Sequence, residues 1–240
     1  MARLLWDQTG EKFYETGVNQ GVLYPYDSSA ADPTKAYGPG VAWNGLSSVS
    51  ESPSGAEANK IYADNINYLN LYSAEEFCAT IEAYTYPDEF KACDGTAELI
   101  TGAYVGQQTR KAFGFCFKTI IGNDTEGDAK GYKLHLIYGC KASPSESQYQ
   151  TVNDSPEAIA FSWEITTTPI AIGRINGVDY NPASRIVIDS TKFTTEAQKA
   201  KLTALENKLF GTNASGQEEG TDPYLPLPAE VVSTLSGSAG

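Results

Sequence analysis

The chain is predicted to be mainly β, and two observations predict it. Apolar residues, many of them aromatic, stand at every second position in Phe113, Phe115, Phe117, then in Tyr132, Leu134, Leu136, Tyr138, and again in Ile159, Phe161, Trp163, Ile165. Successive side chains of a strand point to opposite faces, so this spacing gives each segment one apolar face and one mostly polar face. The opposing positions are Gly114, Cys116, Lys118; Lys133, His135, Ile137; and Ala160, Ser162, Glu164, Thr166. Against these, a single long stretch near the end carries a helical period.

Taken in order, residues 1–40 mix polar, aromatic and Gly/Pro positions. A turn-rich tract at 27–39 separates Leu23-Tyr24-Pro25-Tyr26 from Val41-Ala42-Trp43, which reads as an extended arm and a loop. Residues 41–50 read as a first strand, broken by Ser52-Pro53-Ser54-Gly55. Residues 61–72, dense in Asn and Tyr, read as a loop or a twisted hairpin. Ser73-Ala74-Glu75-Glu76 has the pattern of a helix capping box, yet strand alternation follows at once through Phe77, Ala79, Ile81 and Ala83, which favours a strand from Phe77. Pro87-Asp88-Glu89-Phe90 puts proline and acids where a first helical turn tolerates them, predicting a short helix over 87–93 before the Asp94-Gly95 turn.

Residues 122–131 read as a long hairpin loop, 142–156 as a Ser/Pro/Asn-rich connector to the Trp163 strand, and 185–189 as one more strand. Thr195 can cap the long helix with Gln198 three residues on. Leu202, Leu205 and Leu209 form its apolar stripe and Gly211 stops it. Residues 212–222 read as a flexible linker and Pro223-Tyr224-Leu225-Pro226-Leu227-Pro228 as a docking arm. The domain reading is a β domain with its N-terminal arm over 1–210, and linker plus C-terminal arm over 211–240.

At 240 residues with 41% hydrophobic content, one domain with extensions is expected. A chain of this size hides roughly 70% of its unfolded surface, enough without disulfides or metals. A net charge of −13 argues against a surface that grips nucleic acid, since phosphate affinity comes mainly from Lys and Arg. The run Leu4-Leu5-Trp6 meets Asp7 before it reaches signal-peptide length, and no run is long enough to span a membrane. Cys78, Cys93, Cys116 and Cys140 are scattered without a Cys-x-x-Cys pair, which disfavours zinc and reads as free cytosolic thiols. No cofactor motif is present: neither a phosphate loop nor a dinucleotide fingerprint.

Asp124, Glu126 and Asp128 alternate in a Gly-containing loop and invite a calcium reading. The EF-hand pattern fails, with Ala129 at the required glycine and His135 at the final glutamate, so a solvated hairpin tip is the reading retained. His135 is the only histidine, and a Ser-His-Asp or Cys-His mechanism would have to use it, but no nucleophile elbow accompanies it. Glu82 and Glu164 project from strands and would be the carboxylate pair of a glycosidase, a weak signal because outward-facing strand acids are common. Three glycosylation sequons, at Asn123, Asn153 and Asn213, read as chance matches.

Several blocks together resemble the major tail protein of long, non-contractile-tailed bacteriophages, the subunit of the tail tube. They include Gly40-Val41-Ala42-Trp43-Asn44-Gly45-Leu46, Glu51-Ser52-Pro53-Ser54-Gly55-Ala56-Glu57-Ala58, and Ala79-Thr80-Ile81-Glu82-Ala83-Tyr84-Thr85-Tyr86-Pro87-Asp88-Glu89-Phe90. Gly106-Gln107-Gln108-Thr109-Arg110-Lys111-Ala112-Phe113-Gly114-Phe115 and Ile121-Gly122-Asn123-Asp124-Thr125-Glu126-Gly127 belong with them, and Leu225-Pro226-Leu227-Pro228 extends the likeness. The weakest match is residues 173–182, which read as a local insertion.

The resemblance implies two packed β-sheets, sandwich or barrel-like, flanked by a helix. It also implies six copies in a ring, and rings stacked into a tube that conducts DNA. It carries over no active site and no cofactor. Implied partners are further copies of the chain and the tape-measure, tail-tip and tail-terminator proteins, with DNA passing unbound and no membrane contact. The implied location is the virion tail, with the host cytoplasm during assembly. Acids facing the bore would repel phosphates, and the candidates are Glu82, Glu164, Asp124, Glu126 and Asp128. Competing readings are the tube of a genome-free tail-like particle, or a carbohydrate- or receptor-binding sandwich presenting Tyr62, Tyr68, Tyr72, Tyr84 and Tyr86.

Overall fold

The computed structural model describes residues 3–152, 154, 158–175, 177–214 and 219–237. Its first strand, β1 (Phe13–Pro25), is followed by β2 (Val41–Trp43), β3 (Leu46–Glu51), β4 (Ser54–Gly55), β5 (Ala58–Ala63), β6 (Ile66–Tyr72), β7 (Glu75–Glu76) and β8 (Cys78–Ala83). A one-turn helix, α1 (Phe90–Cys93), precedes β9 (Ala97–Ile100), β10 (Ala103–Val105), β11 (Phe113–Asn123) and β12 (Gly127–Ala142). Then come β13 (Phe161–Thr167), β14 (Gly173–Ile175), β15 (Val178–Tyr180), β16 (Arg185–Asp189), α2 (Glu196–Phe210) and α3 (Pro228–Ser236).

The body is one eight-stranded antiparallel sheet in the order β2-β1-β11-β12-β13-β8-β3, with β16 also on β12. The path's two ends are adjacent in sequence, joined at Asn44-Gly45, so the sheet curls back on itself and its two halves face each other without closing a barrel. Between the halves lies an aromatic core. Trp43 meets Phe115 and Trp163 at 5.5 Å between ring centroids, and Phe90 of α1 fills the middle at 4.6 Å from Trp43 and 5.1 Å from Trp163. Such tilted and edge-on pairs add to the gain from burial.

A second core lies on the other side of β1, β11 and β12. There Val22, Tyr24, Cys116, Leu134, Leu136 and Tyr138 are covered by Leu202, Leu205 and Leu209 of α2, by Leu225 and by Val231 of α3. The predicted stripes are buried except at Ile159, which is exposed, and at Tyr132 and Phe161, which are half-buried, but Phe113, Phe115 and Phe117 face the first core while Leu134, Leu136 and Tyr138 face the second. The expectation of a polar opposite face therefore fails for β11 and β12, where Gly114, Cys116, His135 and Ile137 are also buried. Only β13 follows it, with Trp163 and Ile165 inside and Glu164 and Thr166 outside.

β12 serves both halves because it changes partner, pairing with β16 over Lys133–Ile137 and with β13 over Cys140–Ala142. Gly139 makes the switch at φ +63°, and a Cβ there would sit 2.2 Å from the Thr168 carbonyl oxygen, so the close approach requires glycine. The bulge also shifts parity, which returns Cys140 and Ala142 to the first core.

Other expectations need correction. The supposed N-terminal arm contains β1, which pairs along β11 and lies inside the sheet. Bulges between Thr16 and Asn19 and between Asn19 and Val22 hide its alternation. Residues 41–50 are two strands rather than one, because Gly45 turns the chain at φ +72°. The 122–131 loop shrinks to Asp124-Thr125-Glu126, since β12 already begins at Gly127. Ile159 lies outside the strand that starts at Phe161. Residues 73–76 form no helix; Glu75 and Glu76 pair with Gly55 and Ser54.

The capping box of α2 is present in full, Thr195 Oγ1 accepting from the Gln198 amide at 3.3 Å and Gln198 Oε1 from the Thr195 amide at 3.1 Å. The C-terminal arm docks as expected. The Leu225 amide donates to the Tyr37 carbonyl at 2.9 Å, and Tyr138 Oη donates to the Pro226 carbonyl at 2.8 Å. It continues into α3, which the reading of the segment as linker and arm missed; Pro228 occupies the first helical turn, where its missing amide is tolerated.

Candidate functional site

Among the described residues, three hairpins leave the body. β5–β6 turns on Asp64-Asn65, both at positive φ as a two-residue hairpin turn needs, and all of its strand residues are exposed. Along β6, side chains alternate between the ribbon's two faces. Leu69 and Leu71 line one, with Ile61 directly opposite Leu69, while Tyr68 and Tyr72 line the other. β9–β10 exposes Leu99, Ile100 and Tyr104, and β14–β15, within the weakly matched 173–182, exposes Val178 and Tyr180. Of the five tyrosines considered for sugar stacking, Tyr86 is withdrawn into the aromatic core against Phe161 and Trp163, and the other four are exposed.

The five candidate acids divide into two groups. Glu82 and Glu164 share one exposed face of the β3-β8-β13 half, where Ser48, Glu82 and Ser162 form one cross-strand row and Ser50, Thr80 and Glu164 the next. The rest of that face is Ser, Thr, Cys78 and Lys141. Glu82 accepts a hydrogen bond from Ser48 Oγ at 2.8 Å. As diagonal neighbours on a flat open face, the two carboxylates have no cleft wall to desolvate either one, which is what a glycosidase acid requires.

Asp124, Glu126 and Asp128 sit instead at the β11–β12 tip and are engaged with their own chain. Asp124 accepts from the Gly10 amide at 2.9 Å, Asp128 from Tyr14 Oη at 2.8 Å, and Glu126 pairs with Lys130 at 2.8 Å. Asp124 thus holds the segment entering β1 and Asp128 holds Tyr14 of β1 itself, while Glu126 is engaged within its own hairpin. Among the described residues no group of three or more His, Cys, Asp and Glu is arranged to hold a metal. Asn123 is buried, its side chain bonded to Gly10 and to the turn amides, so that sequon is not accessible. Asn153 and Ser215 of the other two sequons lie outside the described residues.

The hydroxyl beside His135 belongs to Thr119, not to the Ser or Cys that the mechanisms considered from sequence would need. His135 is 7% exposed, stacks on Phe117 at 4.4 Å, and shares a hydrogen bond of 3.0 Å between Nε2 and Thr119 Oγ1. Its Nδ1 lies 3.6 Å from Glu51, which also pairs with Arg185. His135 first and Arg185 after it hold the Glu51 carboxyl below its usual range, against the opposing effect of burial. Glu51 ends β3, while His135 and Arg185 belong to β12 and β16, so this cluster clasps one half of the curled sheet to the other. Burial pushes the Cys93 thiol up to about 12 and those of Cys116 and Cys140 higher, leaving these three thiols unreactive.

No family model matches the chain, and no curated protein matches it. Among the described residues no helix is long and apolar enough to cross a membrane.

Proposed function

We propose that the chain is the tail-tube subunit of a long, non-contractile-tailed bacteriophage, six copies closing into a ring and rings stacking into a tube through which DNA passes. One observation carries the reading beside the sequence resemblance: the β5–β6 hairpin exposes Ile61, Leu69, Leu71, Tyr68 and Tyr72 and buries none of its strand residues in its own chain. A lone two-stranded ribbon is marginal in water, and a subunit that presents several apolar arms is suited to bury them in neighbours. Tyrosine and aliphatic side chains together are the composition of an interface core.

The open face bearing Glu82 and Glu164 fits the bore. It is mostly polar and carries two acids against Lys141, so it offers phosphates net repulsion without a binding pocket, and the repulsion extends about a Debye length, roughly 8 Å at physiological salt. The tip acids are weaker candidates for the bore, because Glu126 is paired with Lys130 and Asp124 and Asp128 are turned to Gly10 and Tyr14 of their own chain. In this reading the chain works in the virion tail, and its location in the host is the cytoplasm only until assembly.

Negative-stain imaging of the purified protein, alone and from particles, tests the reading. Rings or tubes with six subunits per layer are expected. A protein that stays monomeric at all concentrations, and that labelling places outside the tube of intact particles, removes it.

A further inference from the structure

The run Leu4-Leu5-Trp6 finds no place in the fold. Leu4 is 72% exposed, Leu5 68% and Trp6 71%, in backbone without regular structure. Directly after it the chain is fixed. The Gly10 amide donates to Asp124 at 2.9 Å, Asn123 donates to the Gly10 carbonyl at 3.1 Å, and a turn closes from the Glu11 amide to the Gln8 carbonyl at 3.0 Å. Three large apolar side chains are therefore rooted in the body at one end and unpartnered at the other.

A cavity opens elsewhere, about 710 Å³ in volume, where half-buried Val18, Leu46 and Phe210 stand beside Asn19, Gln20 and Asn44 over the buried Val22, Trp43 and Leu209. Its β1 wall is the bulged stretch where the register to β11 skips on either side of Asn19. β2 covers β1 only over Gly21–Leu23, so the edge ahead of Gly21 is open to an added extended peptide.

The run cannot reach this cavity in its own chain. An extended chain advances at most about 3.6 Å per residue, which carries Trp6 about 14 Å from the fixed Gly10. Measured along β11, where the register runs from Asn123 opposite Phe13 to Lys118 opposite Asn19, Val18 lies about 14 Å beyond Phe13, and Gly10 is anchored past Phe13 at the opposite end, against the hairpin tip. Folding back from the Gln8–Glu11 turn brings Trp6 level with Phe13 and Leu4 level with Glu15, still short of Val18.

We propose that residues 4–6 of one copy seat in this cavity of a second copy, adding along the open edge of β1. Peg and socket are different surfaces, so the contact is head-to-tail and propagates from copy to copy. The β5–β6 ribbon is a poorer occupant, since its side chains are spread over two flat faces, whereas a single extended strand drops consecutive large groups beside one edge. The inference rests on the reading of the chain as a subunit that assembles with itself.

The test places Leu5→Cys and Asn19→Cys in separate full-length chains, both at exposed positions, and oxidises their mixture under assembly conditions. A disulfide-linked pair is expected in the mixture and not in either chain alone or in the parent, whose Cys78 sets the background. Adding Trp6→Ala to the Leu5→Cys chain should lower the yield at least tenfold, and Trp6→Phe should restore most of it. Tubes without the cross-link overturn this contact while leaving the assembly reading intact; neither tubes nor cross-link overturns both. Intramolecular linkage in a dilute double variant puts the run in its own cavity and likewise overturns the proposal.

Discussion

The β11–β12 hairpin is covered on both faces and the β5–β6 hairpin on neither, although both alternate apolar side chains along antiparallel strands. β11–β12 gets its cover from its own chain, the β2, β3, β8 and β13 side supplying Trp43 and Trp163 and the helices supplying Leu202, Leu205 and Leu209. β5–β6 has only the two-residue stem of β4 and β7 beneath it. The difference separates two parts of the chain: the first hairpin is held by cores of its own chain, and the second, under the proposed function, is the part left for a neighbouring copy to cover.

The largest expected effect tests that separation directly. Phe115→Ala or Leu136→Ala, emptying one core or the other, should cost about 3–5 kcal/mol in denaturant unfolding. Leu71→Ala in the ribbon should change monomer stability by less than about 0.5 kcal/mol yet abolish or strongly weaken ring and tube formation. A Leu71→Ala protein that both unfolds early and assembles normally would mean the ribbon is structural.

How much of this was legible in the sequence differs between the two hairpins for the same reason. Alternation named the strands of β11, β12 and β13, because bulk at every second position needs no partner to be recognised. It could not say that Cys116 and Ile137 are as buried as Phe115, since that depends on where α2 lands, a matter of long-range packing. β1 was illegible because Gly17 and Gln20, at φ +65° and +51°, break its period. Of the candidate acids, Glu82 and Glu164 are strand residues and Asp124 and Glu126 turn residues as read, while Asp128, read in the loop, lies in β12; only the structure separates Glu82 and Glu164, on an open face, from Asp124 and Asp128, which accept bonds from Gly10 and Tyr14. The Glu51, His135 and Arg185 clasp gave no sequence signal, its members being 84 and 50 residues apart in turn.

A middle-sized effect should come from that clasp, which holds together the halves that cover β11–β12. Glu51 has a lowered folded pKa, so its contribution is fully present above the ordinary carboxylate value of 4.5 and is lost as pH falls through the lower folded value. Stability of the parent should therefore drop below about pH 4.5, and Glu51→Gln should be less stable at neutral pH but flatter across the acid range. Parallel curves for the two proteins would remove Glu51 as the acid-sensitive group. Smaller again is Asp124→Ala at the tip. Losing the acceptor for the Gly10 and Lys12 amides should cost about 1 kcal/mol or less, seen chiefly as faster proteolysis ahead of β1.

The smallest effect on the monomer should come with the most specific effect on function. Glu82→Lys with Glu164→Lys changes two exposed side chains on a sheet face, so unfolding should shift by no more than about 0.5 kcal/mol each, and rings should still form. If that face lines the bore, two reversed charges in each of six copies turn a repelling wall into one that holds phosphates, and DNA ejection should slow, with the slowing relieved by added salt as screening shortens the attraction. The matching change at the tip, Glu126→Lys, removes the Lys130 pair and should leave ejection unaltered. Ejection slowed equally by both would mean that the two groups of acids line the bore together and that intrachain engagement does not decide which surface DNA meets.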